Sequence, residues 1–125
     1  GVKLEHVYLG AMLAAIVSLA TITLFPGLGS DWLWPLLGAC FSLSNIGYSL
    51  VSQTFPPALS GRANTALNLL VFAGAFGLQW GFGVLVDLLQ AAGWAADSAF
   101  RIGFLTLLGG QIAAFAWLVV SGRRQ

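Results

Sequence analysis

Charged residues occupy only a few short segments of this sequence, and this distribution limits the possible folds more than any other feature. Five basic and four acidic residues separate four uncharged, mostly apolar stretches, each at least 21 residues long. A helix of about 20 apolar residues crosses the hydrocarbon core of a bilayer. The four stretches therefore predict four transmembrane helices, at residues 7–25, 33–53, 63–86 and 102–120.

The composition is typical of a membrane protein. Apolar residues make up 58% of the chain and charged residues 7%, whereas a soluble domain carries about 25% charged residues. Backbone amides inside a bilayer must be satisfied within helices or a closed barrel, and the two-residue alternation of barrel strands is absent from this sequence. We therefore expect an all-α integral membrane protein of four antiparallel helices surrounded by lipid.

Several functional classes require residues that this sequence lacks. The net charge is +1 without a basic cluster, so we expect no nucleic-acid partner. His6 is the only histidine and Cys40 the only cysteine, and a metal or haem site needs more ligands than these two residues supply. The predicted spans contain no residue that could act as a base for a serine nucleophile. We expect no cofactor, no metal and no enzymatic activity.

The second predicted span, 33–53, carries its polar residues on one side. Polar side chains in a membrane helix avoid lipid, so this side should face either protein or water. Hydrogen bonding to other helices and the lining of an aqueous cavity both fit the pattern. If the face lines a cavity, Ser42, Asn45 and Ser49 are the candidates for contact with a solute. At about 100° per residue the shared face consists of Gly38, Ser42, Asn45, Ser49 and Ser52.

The third predicted span, 63–86, combines a small-residue side with a polar side. Ala73, Gly77 and Gly81 are spaced four residues apart, which predicts close packing against another membrane helix. The polar residues of this span lie on a different side of the helix, and contact between them and lipid would be unfavourable. These polar residues are Asn64, Asn68 and Gln79.

The basic residues predict the orientation of the chain. Antiparallel spans place the two ends of the chain and the connector at 52–64 on one side of the membrane. That side holds Lys3, Arg62, Arg123 and Arg124, whereas the other side holds Arg101 as its single cation. Excess positive charge marks the cytoplasmic side, so we expect a multi-pass protein of the cell membrane, such as a bacterial inner membrane, with both termini in the cytoplasm.

Between Phe55 and Asp87 a proline precedes the pair Gly61-Arg62, and several glycines follow before Asp87. In this pattern the segment resembles the major facilitator superfamily of transporters. In that family the cytoplasmic loop before helix eleven carries a proline and a Gly-Arg or Arg-Gly pair, and helix eleven carries glycines up to a G-x-x-x-D ending. The proline common between those glycines is absent at Leu78 to Trp80. The matching positions are Pro56, Gly61, Arg62, Gly74, Gly77, Gly81, Gly83 and Asp87.

The resemblance implies that the four spans are helices nine to twelve of a twelve-helix fold. The chain begins at Gly1, without a methionine, and Gly1-Val2 resembles the residues directly after the arginine-rich loop between helices eight and nine. We expect the C-terminal part of a secondary transporter that moves a small solute by alternating access, together with the remaining helices of the same protein. Helix ten would line the central cavity and helix eleven would pack at the interface between the two halves. Arg62 would act at the cytoplasmic gate.

Two other functions compete with that of a transporter. A small four-helix exporter acting as a dimer needs a carboxylate deep in its first span, and Glu5 lies before that span. A membrane anchor subunit that holds haem needs paired histidines, which the single His6 cannot provide. The sequence therefore favours the transporter.

Overall fold

The computed structural model describes residues 3–28, 30–43 and 45–122, and every regular element within them is a helix. This confirms the all-α prediction. The elements are α1 at Leu4–Leu24, α2 at Ser30–Leu43, α3 at Ile46–Thr54, α4 at Pro57–Ala91 and α5 at Ala96–Gly122.

Three of the five helices in the described residues are long and apolar enough to cross a membrane. They are α1 with 21 residues, α4 with 35 and α5 with 27, which correspond to lengths of about 32, 52 and 40 Å at 1.5 Å per residue. These helices are compatible with a multi-pass membrane protein. Since the hydrocarbon core is about 30 Å thick, α4 and α5 have residues to spare for tilting or for extending beyond it.

The second predicted span differs from the prediction of one continuous helix. It consists of α2, with 14 residues, and α3, with 9 residues. Asn45 lies in a turn between them, and Ser44 lies outside the described residues. Helices of these lengths reach only about 21 and 14 Å, so neither could cross a bilayer alone.

Local sequence explains both ends of α4. Pro56 precedes the helix with φ −55° and ψ 148°, close to polyproline II. Pro57 is the first residue of the helix, a position where the missing amide proton and fixed φ of proline are favourable. Gly93, with φ +91°, follows the other end. There the N–H of Gly93 donates to Gln90 O at 2.9 Å and that of Trp94 to Leu89 O at 3.0 Å, which is the Schellman arrangement.

The core lies where α1, α2 and α5 meet. α1 contacts α2, α3 and α5, while α4 contacts α3 and α5. Small and medium-sized side chains dominate the core, which allows the helices to approach closely. Its buried members are Ala15, Leu19, Leu37, Cys40 and Leu108.

Contact between α4 and α5 centres on an aromatic ring that faces a glycine. A Cβ added to Gly103 would lie 2.6 Å from Cε2 of Phe82, so the ring occupies the space that any larger residue would need. The same ring packs against Phe100, at 6.0 Å between centroids, and against Phe104, at 5.2 Å.

A long-range hydrogen bond joins the end of α1 to the start of α5. Nε of Arg101 donates to the backbone oxygen of Thr23 at 3.1 Å. That carbonyl lies in the last turn of α1, where carbonyls lack partners inside the helix and the helix dipole attracts a cation. Arg101 therefore both satisfies a terminal carbonyl and links two helices.

Replacing Gly103 by alanine should weaken the α4–α5 contact. Phe100 and Phe104 hold the Phe82 ring in place, so the added methyl group forces a displacement. We expect Gly103→Ala to lower the free energy of unfolding by about 1–3 kcal/mol relative to Gly109→Ala, because of overpacking. Gly109 is the matched control, since it lies in the same helix and an added Cβ would meet no atom within 4 Å.

Thermal unfolding of both variants in one detergent measures this difference. Both substitutions remove a helical glycine and gain similarly in helix propensity, so the difference between them isolates the contact with Phe82. Equal unfolding midpoints would contradict the close approach of α4 and α5 at Gly103.

Candidate functional site

Polar residues flank the interruption between α2 and α3, both at the end of α2 and at the start of α3. Asn45 adopts φ −59° and ψ −18° and is followed directly by α3. The backbone N–H of Asn45 donates to Ser42 O at 3.3 Å, and the N–H of Tyr48 donates to Asn45 O at 3.1 Å. Both are tight bonds between residues three apart, as in a 3₁₀ turn. Since Asn45 keeps right-handed helical backbone angles, the described part of the interruption is a tight helical turn.

Side chains supply further hydrogen bonds to the backbone around this turn. Nδ2 of Asn45 donates to Ser42 O at 3.1 Å, and Oγ of Ser42 donates to Gly38 O at 3.1 Å. Ser42 O lies in the last turn of α2, where carbonyls lack partners within the helix. The bond from Ser42 to Gly38 O is an additional bond inside the helix, so Asn45 is the residue whose side chain supplies a partner at the end of α2.

The three predicted solute-contacting residues lie near this turn. Ser42 and Asn45 are exposed and are brought together by their hydrogen bond, with Oδ1 of Asn45 left without a bond to another described residue. Ser49 lies one turn further along α3 and is exposed, and its hydroxyl has no partner among the described residues. Asn45 and Ser49 therefore retain the capacity to accept or donate hydrogen bonds.

A polar seam joins α3 to α4. The hydroxyl of Tyr48 donates to Oδ1 of Asn68 at 2.9 Å, and Nδ2 of Asn64 donates to Oγ of Ser52 at 2.7 Å. Oδ1 of Asn64 is buried without a partner among the described residues. The sequence identified the polar sides of both segments, but periodicity along each helix cannot show which residues pair across the interface.

α2 and α3 have different main neighbours. α2 contributes Leu37 and Cys40 to the core with α1, whereas α3 is hydrogen-bonded to α4 through the polar seam. α3 also contacts α1, where a Cβ on Gly47 would lie 3.5 Å from Cε2 of Tyr8. The turn at Asn45 lies between these two sets of contacts.

The small-residue side of the third span has no close neighbour in the described structure. Ala73 and Gly77 are exposed and Gly81 is half-buried. A Cβ added to Gly77 or Gly81 would meet no atom within 4 Å. Close packing through a glycine occurs instead at Gly103, which the four-residue spacing did not indicate.

Arg62 lies within α4, near its start. The connector at 52–64 is shorter than predicted, because α3 continues to Thr54 and α4 begins at Pro57. Arg62 is exposed, and its side chain forms no hydrogen bond or ion pair with another described residue. Its guanidinium group is free to contact solvent, lipid headgroups or other parts of a larger protein.

Comparisons with protein-family models, curated proteins and solved structures find no match to this chain. The features that bear on its function are therefore its own: the interrupted helix, the polar seam and the exposed apolar surface.

The polar seam can be tested with a double-mutant cycle on Tyr48→Phe and Asn68→Ala. The hydroxyl-to-amide bond should give a coupling energy of about 0.6 kcal/mol, the average found for polar pairs between membrane helices, and at most about 1.7 kcal/mol. Unfolding in mixed detergent micelles measures the four free energies of unfolding.

A second cycle, on Tyr8→Phe and Asn68→Ala, is the matched control. Tyr8 and Tyr48 are the two tyrosines of the chain, and the hydroxyl of Tyr8 forms no hydrogen bond with a described residue. Its coupling energy should be close to zero. Equal coupling in the two cycles would contradict a specific Tyr48–Asn68 bond.

Proposed function

We propose that this chain is the C-terminal part of a secondary active transporter that moves a small solute by alternating access. The observation that carries this proposal is the interruption at Asn45, in the middle of an uncharged stretch of sequence. Irregular backbone at membrane depth is stable only where it is buried in protein or lines a water-filled cavity. In secondary transporters, such discontinuous helices form the sites for solute and coupling ions.

In this proposal α2 and α3 together form one membrane crossing. From Ser30 to Thr54 they comprise 25 residues, about 37 Å if helical throughout, which is enough to cross the hydrocarbon core. With α1, α4 and α5 this gives four antiparallel crossings. The turn at Asn45 then falls within the membrane, where its polar groups need partners other than lipid.

Asn45 and Ser49 are the proposed solute contacts. Both have hydrogen-bonding groups that no described residue uses, and neither side chain is fully buried. Ser42 has a different role in this proposal, because its hydroxyl is already bonded to Gly38 O. It would hold the turn in place while Asn45 and Ser49 contact the solute.

The contacts of α2 and α3 suggest how the site would open and close. α2 packs in the core with α1, while the polar seam attaches α3 to α4. A small displacement of α4 relative to α1 would therefore change the angle at Asn45. Rigid helices joined at a short hinge are one established way to convert domain motion into gating.

The proposal requires helices in addition to α1–α5. The side chains of Leu69, Leu70, Phe72 and Phe76 on α4 are between 67% and 71% exposed, so lipid or other helices of the same protein must cover them. Ala73 and Gly77 lie among these residues and would allow such a helix to approach closely. Charged groups for ion coupling would also belong to other segments, since the acidic residues of α1 and α2, Glu5 and Asp31, lie in the first turns of those helices.

Orientation and location follow from the basic residues. In this proposal the protein lies in the cell membrane, such as a bacterial inner membrane. Both termini and Arg62 are then on the cytoplasmic side, in agreement with the positive-inside rule. Arg62 then lies near the cytoplasmic end of α4, where a gate between the two halves of a transporter would close. The resemblance to helices nine to twelve of the major facilitator superfamily supports the same arrangement.

Water access to Asn45 tests the proposal directly. In the full-length protein with Cys40→Ala, we expect Asn45→Cys and Ser49→Cys to react with trimethylammonium-ethyl methanethiosulfonate in membrane vesicles. Reaction should be about tenfold or more faster than at Leu69→Cys, because only the ionised thiolate reacts and hydrocarbon suppresses ionisation. Labelling is measured by the loss of subsequent maleimide-dye incorporation.

Leu69→Cys is the matched control, since Leu69 is 71% exposed on an apolar part of α4. If Asn45→Cys is as unreactive as Leu69→Cys, the turn does not border an aqueous cavity and the transporter proposal fails.

Transport itself should depend on the Asn45 side chain. Uptake into proteoliposomes can be screened with labelled sugars, amino acids and organic cations. For a transported member of this panel, Asn45→Ala should lower kcat/KM by about three- to tenfold, the value of one lost hydrogen bond. Gln90→Ala, at the far end of α4, should leave uptake unchanged. Wild-type uptake by Asn45→Ala, with equal insertion, would assign Asn45 to helix packing alone.

A further inference from the structure

A large crevice lies between α1, α2, α4 and α5, away from the turn at Asn45. Its volume is about 910 Å³, within the range of roughly 300–1,000 Å³ typical of sites for small molecules. Neither Asn45 nor Ser49 lines it. Its walls are largely aromatic and aliphatic and include Trp34, Leu37, Phe41, Leu78, Phe82 and Phe104.

Ring contacts fix part of the crevice wall. Trp34 meets Phe104 edge to face, with 5.8 Å between ring centroids. Phe104 in turn packs against Phe82 at 5.2 Å. Edge-to-face and tilted arrangements at these distances are favourable for aromatic pairs. The crevice is therefore bordered by side chains that already have defined positions before anything binds.

Two primary amides interrupt this apolar lining. Gln79 on α4 and Gln111 on α5 both line the crevice, and neither forms a hydrogen bond with another described residue. Oε1 of Gln111 is buried and has no partner in the part of the chain that the structure describes. The third polar residue of the lining, Thr106, already donates its hydroxyl proton to Ile102 O at 2.9 Å.

The buried, unpaired oxygen of Gln111 is costly in such surroundings, whereas Gln79 is exposed and does not incur this penalty. Burying an amide without a hydrogen bond costs about 1–3 kcal/mol by protein mutational measurements, and leucine would fill the same space without that cost. A bound molecule that hydrogen-bonds to the Gln111 oxygen removes the penalty. Because an amide both donates and accepts, its best partners are hydroxyl and amide groups.

We propose that this crevice binds an uncharged, mostly apolar small molecule that carries a hydroxyl or amide group, held by Gln111 and Gln79. The apolar walls select for an apolar body, and aromatic groups would add favourable ring contacts. Among the described residues no charged side chain lines the crevice, so a charged ligand would lose its hydration without compensation. The site is separate from Asn45, and binding there does not depend on transport.

The experiment uses a pair of photoreactive probes with the full-length protein in lipid nanodiscs. One probe is 4-(hydroxymethyl)benzophenone, and the matched probe is 4-methylbenzophenone, which lacks the hydroxyl group. Cross-linked residues are identified by mass spectrometry after irradiation. We expect the hydroxyl probe to label residues of the crevice wall about three- to tenfold more than the methyl probe, the value of one hydrogen bond.

Two variants and two controls connect the labelling to the crevice. Gln111→Leu should reduce labelling by the hydroxyl probe to the level of the methyl probe, whereas Gln90→Leu, outside the crevice, should not. Ala114→Trp should fill the crevice and suppress labelling by both probes. Ala116→Trp is its control, because Ala116 is exposed on the same helix and does not line the crevice.

Three results would overturn the proposal. Equal labelling by both probes would mean that the crevice takes any apolar molecule, including lipid chains. Labelling confined to Leu69 and Phe72 on α4 would indicate partition into lipid only. Absence of labelling on the crevice wall would mean that another helix of the full-length protein fills it. Water access at Asn45→Cys, measured on the same preparation, reports separately on the transporter proposal.

Discussion

The rest of this structure depends on the satisfaction of backbone hydrogen bonds in a chain with very few charges. Helices achieve this within each segment, which is why the described residues form five helices joined by short turns. The turn between α2 and α3 is the exception inside an uncharged stretch. There, the side-chain amide of Asn45 donates a hydrogen bond to Ser42 O, one of the last carbonyls of α2. Local chemistry at one position thus permits an interruption that an apolar sequence would not otherwise tolerate.

Different kinds of contact hold the two ends of the interrupted segment. Apolar packing places α2 against α1 and α5, and side-chain hydrogen bonds attach α3 to α4. Hydrogen bonds have strict geometry, whereas apolar contacts allow small sliding movements. The polar seam therefore keeps α3 and α4 in a fixed register. Changes in the orientation of α2 relative to α3 then occur mainly at the turn.

Charge distribution alone is enough to predict the all-helical fold and the approximate positions of α1, α4 and α5. It does not predict the turn at Asn45, because serine and asparagine at helical spacing resemble the polar side of a continuous helix. The predicted connector at 52–64 is too long, since Pro57 can begin a helix as well as end one. Spacing of small residues identifies Ala73, Gly77 and Gly81, but it cannot reveal which glycine meets a ring, as Gly103 does. Pairings such as Tyr48 with Asn68 depend on how two helices are positioned relative to each other. The periodicity of residues within one helix gives no information on that position.

The hydrogen bond from Arg101 to Thr23 has a consequence for the order of assembly. It joins residues 78 positions apart, so α1 reaches its final partner only after most of the chain has been synthesised. The contact between α1 and α2 involves neighbouring segments and can form much earlier, because closing a short loop costs less entropy. Biogenesis would therefore proceed from an early α1–α2 hairpin to a late closure by α5, and a ribosome stalled before Arg101 would leave the end of α1 without its partner.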